Sequence, residues 1–365
     1  VLGVSLSTAA GLVYLMLRWR KKGDGVSQQQ LMHAPKPQDS STLLKRILVI
    51  AIPVCLGSLA VNLSGIIDLL TVTGRLSHVM DTAPQQLLAC YGQNIPQAEL
   101  VNGTVHNYLY GAYSGKAVVI ANLVPALTTG MAVSALPAVA ESFARGNRLR
   151  TQKSIQMVLR ITALFCVPAG LGISALSQEV CSLFFGMNNE VMIGAPLLRV
   201  LGLASIFIAL TGTTNSLLQA VGRVSLPVKL ILIGSAIKLA MNYLLVGIPQ
   251  LNIQAAPWST LVCYVVITLL SLIALRSTVG PLGAFGVFGK PLLAGLLCAA
   301  FARLTQNMLM QVTASRFVVL LSAAVGAAVY LVGLLLLRAL KKEDIMMLPK
   351  GEKMAKILEK YSLLG

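Results

Sequence analysis

Two charged side chains, Asp68 and Lys238, lie inside long apolar stretches of the sequence and are the first candidates for chemistry. Asp68 stands in the apolar run 47–74 and Lys238 in the run 227–248. A charge in hydrocarbon costs at least about 2.5–3.5 kcal/mol, so each of these two needs a partner or water to compensate it. Because their signs are opposite, we predict that they compensate each other.

Further polar residues share helical faces with the two charges. Arg75 follows Asp68 by two helical turns, and Asn62 adds an amide to the same segment. Asn242 lies one turn after Lys238. We predict that these two polar helix faces pack against each other or line a water-filled cavity. The sequence leaves open the alternative that the pair is a salt bridge that fixes helix packing and transports nothing.

The composition indicates that the elements carrying these residues lie in lipid. Of the 365 residues, 56% are apolar and 11% are charged, and the mean hydropathy is +0.78. Soluble domains carry about twice that charged share, and runs of about 20 apolar residues are long enough to cross a bilayer as helices. We predict an all-α, polytopic membrane protein. Its nine transmembrane helices are predicted at roughly 1–18, 47–74, 117–140, 156–178, 196–221, 227–248, 252–275, 290–310 and 316–337.

Basic residues lie mostly in the gaps between the apolar runs, and their distribution predicts the topology. If the gap after the first run is cytoplasmic and the sides alternate, 23 of the 29 Lys and Arg residues lie inside and 5 outside. We therefore place the chain in the cytoplasmic membrane with a cytoplasmic C-terminus. The net charge of +17 is then explained by the basic residues on the cytoplasmic side of the membrane, and no nucleic-acid partner is expected. Arg160, Arg199 and Arg303 lie near run ends, from which they can extend to the interface.

Motifs for covalent or metal chemistry are not recognisable in the sequence. There is no Gly-x-x-x-x-Gly-Lys-Ser/Thr phosphate loop, the three histidines fall in gaps, and the six cysteines form no Cys-x-x-Cys pair. We therefore expect no enzyme, no catalytic residue, no metal site and no cofactor. A membrane glycosyltransferase or acyltransferase is a minor alternative, since the longest outer gap, 75–116, carries acids and histidines without interpretable spacing.

Four stretches of the sequence resemble a known family. They are GAYSGKAVVIANLVPALTTGMAVSALPAVAE (111–141), LLQAVGRVSLPVKL (217–230), NYLLVGIPQLNIQAA (242–256) and LPKG (348–351). They are similar to the stage V sporulation protein B group of polysaccharide exporters. That group belongs to the superfamily of multidrug, oligosaccharidyl-lipid and polysaccharide flippases. The resemblance implies a fourteen-helix, two-lobe transporter that flips lipid-linked oligosaccharide, or a peptidoglycan or spore-envelope precursor, by alternating access.

The resemblance also implies a domain organisation. Residues 1–22 correspond to the last helix of the first lobe, and 23–46 to a cytoplasmic linker between the lobes. Residues 47–275 correspond to the complete second six-helix lobe, and 276–337 to two additional C-terminal helices. A cytoplasmic amphipathic tail is expected at 338–365. Five further helices of the family would then precede this sequence.

In the related lipid II flippases a cation site is built by three helices of the second lobe. The corresponding spans here hold Asp68, Asn242 and Thr260, which implies a coupling ion, Na⁺ or H⁺. Lys238 departs from this pattern, because an ammonium there could occupy the place of a cation. The implied partners are a lipid-linked saccharide and membrane lipids. We expect a monomer, although the sequence does not determine the oligomeric state. A cation-coupled multidrug antiporter of the same superfamily is the alternative function.

Overall fold

The structure of the chain is a computed structural model, and it describes residues 2–23, 39–283, 285–312, 315 and 317–339. Within these residues the regular elements are helices, without a strand, which confirms the all-α prediction. The predicted tail at 338–365 lies outside the described residues beyond Ala339, and so does most of the predicted linker at 23–46.

The chain divides into two units, residues 1–51 and 52–365. The first unit contains helix α1 (Leu2–Lys22) and the beginning of helix α2 (Ser40–Thr82). Helix α2 has 43 residues. At a rise of 1.5 Å per residue it is about 64 Å long, roughly twice the thickness of the hydrocarbon layer. A large part of α2 therefore lies beyond any bilayer that it crosses.

In its described residues the second unit continues from α2 through twelve further α-helices, three π-helical turns and two short 3-10 turns. The helices are α3 (Pro84–Tyr91), α4 (Gln97–Val101), α5 (Val105–Ala112), α6 (Val119–Ala121), α7 (Leu123–Ala144), α8 (Arg148–Ala175), α9 (Ser177–Phe185), α10 (Asn189–Ala220), α11 (Leu226–Met241), α12 (Ala255–Val279), α13 (Lys290–Val312) and α14 (Val318–Leu336). The π-helical turns are Tyr113–Val118, Asn242–Val246 and Phe285–Gly289.

Six segments of the described residues are long and apolar enough to cross a membrane. They are Arg148–Ala175, Asn189–Ala220, Leu226–Val246, Asn252–Val279, Phe285–Gln311 and Val318–Leu336. They correspond to the last six predicted spans, and they confirm a polytopic membrane protein. The first three predicted spans, at 1–18, 47–74 and 117–140, also fall in helices, but their crossing of the membrane stays a prediction.

Helix α10 is the centre of the second unit and packs against α7, α8 and α12. Its contact with α8 is close because Gly202 faces Gly170 across the interface. Small residues at such a crossing let two backbones approach, which is how helices associate in lipid. A pair of threonines also connects the two helices: the hydroxyl of Thr162 on α8 lies 3.1 Å from that of Thr213 on α10, within hydrogen-bond distance. Polar side chains inside this unit therefore serve helix packing as well.

The predicted outer gap at 75–116 is folded into helices. Helix α2 runs on to Thr82, and α3 to α5 follow it. Leu87 and Leu109 from these helices are buried in the largest apolar cluster, together with Leu198 of α10. In the neighbouring helix α9, burial raises the pKa of the Cys181 thiol to about 11, while Lys116 opposes the shift. The gap is thus a packed layer of short helices.

Candidate functional site

The Asp68 carboxylate is buried in α2 and accepts hydrogen bonds from three other segments. Lys238 Nζ lies 2.6 Å from Oδ2, and the Tyr113 hydroxyl donates to the same oxygen at 3.2 Å. Asn242 Nδ2 donates to Oδ1 at 2.9 Å. Asp68 is 6% exposed and Lys238 is 3% exposed. The predicted pairing of these two charges is therefore seen in the structure as a short, buried contact.

Lys238 reaches Asp68 from the last turn of α11, across the interface with α2. Its ammonium also donates to Ser64 Oγ at 3.0 Å. Ser64 lies one helical turn before Asp68, so both acceptors are presented by the same face of α2. Two oxygen atoms of α2 thus hold the ammonium, which compensates the charge of the carboxylate inside the protein.

Asn242 connects the ion pair to a third helix. Its amide nitrogen donates to Thr71 Oγ1 at 3.1 Å as well as to Asp68, and its amide oxygen accepts a hydrogen bond from Ser259 of α12. Asn242 is fully buried, and its hydrogen-bonding capacity is used on both sides. The network therefore joins α2, α11 and α12 through one side chain.

Two of the three π-helical turns begin at residues of this network. Tyr113 and Asn242 are the first residues of their turns, and both contact Asp68. A π-turn inserts an extra residue into a helix and re-aims the side chains that follow; such turns are rare and recur at functional sites. The backbone is thus irregular at the two positions that present donors to the carboxylate.

The structure brings some of the predicted site residues together and places others apart. Asp68, Lys238 and Asn242 contact each other directly, and Thr260 joins them through the Tyr113 hydroxyl at 3.4 Å. Arg75 instead lies over the ring of Tyr243, with its guanidinium carbon 4.6 Å from the ring centre. Asn62, by contrast, is exposed.

Tyr113 and Ser259 are members of the network that the sequence does not single out. Tyr113 lies in the predicted outer gap, four residues before the predicted start of a span. Ser259 is one of many hydroxyl residues in the spans. Tyr113 begins a π-turn, and its side chain is buried with the hydroxyl against Asp68.

The oxygen atoms of this cluster could bind a hard cation only if Lys238 moved. The ammonium already occupies the space between Asp68 Oδ2 and Ser64 Oγ. A carboxylate, an amide and hydroxyls are suitable ligands for such an ion. In the arrangement observed, however, the cation of the site is the lysine of the chain.

Six helical segments long and apolar enough to cross a membrane define a polytopic α-helical membrane protein, and two of these segments carry the polar residues Lys238, Asn242 and Thr260. Comparison with known families identifies which kind: the chain belongs to the Lipid II flippase MurJ family, whose family model matches residues 112–327. The match covers Lys238, Asn242 and Thr260, whereas Asp68 precedes it.

A curated relative and two solved structures are similar to this chain. The lipid II flippase MurJ of Bacillus subtilis (strain 168) is 25% identical over 217 residues, which are 56% of this chain and 39% of that protein. The chain thus spans well under half of this relative. A transporter of the MOP superfamily from Pyrococcus furiosus and an outward-facing multidrug transporter of the MATE family are each 14% identical. Their TM-scores are 0.46 and 0.48, and the comparisons cover 86% of this chain and 67% of each structure.

Proposed function

We propose that the protein to which this chain belongs flips a lipid-linked saccharide, such as a peptidoglycan precursor, across the cytoplasmic membrane by alternating access. The family membership over residues 112–327 supports a flippase. The observation that carries the proposal for this chain is the buried Asp68–Lys238 pair with its hydroxyl and amide partners. Such a protein needs no covalent chemistry.

The requirements of stability alone do not account for this pair. Replacing a buried ion pair by well-packed apolar residues is often neutral or even stabilising. A membrane protein therefore has little thermodynamic reason to place a carboxylate and an ammonium among its spans. A transporter has one, because a polar headgroup crosses hydrocarbon only where fixed polar groups replace its water.

The pair also connects two helices of one lobe, and the contact between these helices would have to be kept or broken when that lobe moves. In the domain organisation proposed here, residues 47–275 form the second six-helix lobe and 276–337 the two additional helices. Asp68 lies on the first helix of that lobe, and Lys238 and Asn242 on its fifth. Opening this contact would expose one negative and one positive group to a cavity between the lobes.

The position of Lys238 affects which ion could drive the proposed transport. While its ammonium lies 2.6 Å from Asp68, a sodium ion has no access to that carboxylate oxygen. We therefore propose that transport by this protein does not require sodium while Lys238 is present. The cytoplasmic position of the C-terminus and a monomeric state are parts of the same proposal.

Transport by the purified full-length protein in proteoliposomes tests this function. We expect a fluorescent lipid-linked saccharide to be flipped, and Asp68→Ala to reduce the rate at least tenfold because Lys238 loses its counterion. Glu141→Gln is the control, since it also removes one carboxylate but from an exposed ion pair with Arg145.

The same vesicles distinguish the proposed function from multidrug transport. Export of a cationic drug driven by an ion gradient, without flipping of the saccharide lipid, would overturn the assignment. Transfer of sugar onto an acceptor by the purified protein would also overturn it, because the protein would then be an enzyme.

A further inference from the structure

A row of polar residues on one face of α2 leads from the buried ion pair toward the end of the helix. Its members are three or four residues apart and so share this face: Ser64, Asp68, Thr71 and Arg75. The first three contact Lys238 or Asn242. Arg75, the last of the row, lies against Tyr243 and Gly247, which follow Asn242 in the chain. The row therefore continues past the ion pair and ends at a cation.

The guanidinium of Arg75 lies in a notch formed by Tyr243 and Gly247. Its central carbon is 4.6 Å from the centre of the Tyr243 ring, which attracts the cation. A Cβ atom at Gly247 would lie 2.1 Å from Nη2 and 2.6 Å from Nε of Arg75, so glycine leaves the room that the guanidinium fills. Tyr243 belongs to the π-turn Asn242–Val246, and such turns recur at functional sites. An aromatic ring and a missing Cβ atom thus fix the place of the guanidinium.

The guanidinium of Arg75 has no hydrogen-bond acceptor and no ion-pair partner among the described residues. Its Nε is buried without a partner, while the residue as a whole is half-buried and so stays accessible in part. Asp68, the acid of the same row, is bound to Lys238 and Asn242 instead. A guanidinium carries five N–H donors in a planar fork that matches two oxygen atoms of a phosphate or a carboxylate. The terminal nitrogens of Arg75 are therefore preorganised for an anion from outside the chain.

The notch lies where a spanning segment ends, which is the depth of lipid headgroups. The segment Leu226–Val246 is long and apolar enough to cross a membrane, and Gly247 follows it directly. Leu244, the neighbour of Tyr243, is 65% exposed. By the predicted topology this end of the segment is the outer one. A cation at headgroup depth beside an exposed apolar side chain is suited to a lipid that carries a phosphate.

We propose that Arg75 binds the phosphate of the transported lipid on the outer side of the membrane. The inference rests on the proposed function and deepens it, since it requires a saccharide that is joined to its lipid through phosphate. The terminal nitrogens of Arg75 donate to two phosphate oxygens, and Tyr243 and Gly247 keep the guanidinium in place. The row on α2 then connects this outer phosphate site to the Asp68–Lys238 pair. Arg75 is thus a substrate-binding residue, separate from that pair.

Binding of dodecyl phosphate to the full-length protein in dodecyl maltoside tests the site without transport. We expect saturable binding by the wild type and at least fivefold weaker binding by Gly247→Ala. This variant keeps Arg75 and its charge but moves the guanidinium out of the notch. Because the displaced atoms are the end of a flexible side chain, the variant is expected to fold.

Gly74→Ala is the matched control for this experiment. Gly74 precedes Arg75 in α2, but a Cβ atom there would meet nothing within 4 Å. The control should therefore bind dodecyl phosphate within twofold of the wild type. Arg75→Lys keeps the charge but loses the planar fork, and we expect it to bind at least threefold more weakly than the wild type. If Gly247→Ala binds dodecyl phosphate like the wild type, the inference is wrong, whatever the protein transports.

Inorganic phosphate and flipping assays identify the source of the phosphate. Inorganic phosphate is expected to bind at least tenfold more weakly than dodecyl phosphate, and equal binding would show a simple anion site and contradict the lipid assignment. In phosphatidylcholine vesicles that lack phosphatidylglycerol, Gly247→Ala should flip the fluorescent saccharide lipid at least fivefold more slowly than the wild type. A defect that occurs only with phosphatidylglycerol present would assign the site to a bulk phospholipid and overturn the proposal. A wild type that binds dodecyl phosphate but flips no saccharide lipid would contradict the proposed function itself.

Discussion

Lys238→Met is expected to lower the free energy of unfolding by about 3–5 kcal/mol. The substitution keeps most of the side-chain volume but leaves Asp68 buried without the cation that lies 2.6 Å from it. An uncompensated buried charge is among the most destabilising changes that a single substitution can make. Unfolding of the purified full-length protein by denaturing detergent in mixed micelles measures the change.

The control for this prediction lies two and a half turns earlier in the same helix. Lys229 is an exposed lysine of α11, so Lys229→Met should change the free energy of unfolding by no more than about 0.5 kcal/mol. The double variant Asp68→Asn, Lys238→Met removes both charges and should recover at least half of the loss. A Lys238→Met protein as stable as the wild type would show that the two charges do not depend on each other.

The second large effect is expected at the crossing of α8 and α10. A Cβ atom added at Gly202 would lie 2.7 Å from the backbone nitrogen of Ser174 and 2.9 Å from the carbonyl oxygen of Gly170. Backbone atoms of a packed helix cannot rotate away as a flexible side chain can. We therefore expect Gly202→Ala to destabilise the protein by about 1–3 kcal/mol, measured by the same unfolding experiment.

Gly172→Ala provides a control of opposite sign. Gly172 lies in α8 near the same crossing, but a Cβ atom there would meet nothing within 4 Å. Alanine is a better helix former than glycine by up to about 1 kcal/mol, so this variant should be as stable as the wild type or more stable. Equal losses for Gly202→Ala and Gly172→Ala would show that close packing is not the cause.

The sequence predicts the parts of the fold that depend on hydropathy. Six predicted spans coincide with helices long and apolar enough to cross a membrane, because hydrocarbon requires continuous apolar helices. The helix ends are predicted less well. For example, α8 begins at Arg148 and not near 156, since a helix continues into water after its apolar part ends. The helices α3 to α5 have too few apolar residues in a row to be recognised as spans.

The charged residues of the candidate site can be predicted from the sequence, whereas several of its uncharged members cannot. The pairing of Asp68 with Lys238 follows from the cost of isolated charges in lipid. The part played by Tyr113 depends on a local π-turn, which apolar periodicity does not reveal. The burial of Arg160 depends on how α8 packs against the last helices, so the sequence alone predicts the wrong environment.

The most direct test is the flipping rate of the double variant Asp68→Asn, Lys238→Met. Fluorescent lipid-linked saccharide, reconstituted with the full-length protein in vesicles, reports the rate for the wild type and for this variant. If the ion pair acts in transport, the variant folds but flips the lipid at least tenfold more slowly than the wild type. If the folded variant flips the lipid at the wild-type rate, the pair serves helix packing alone and the proposed role of this site is contradicted.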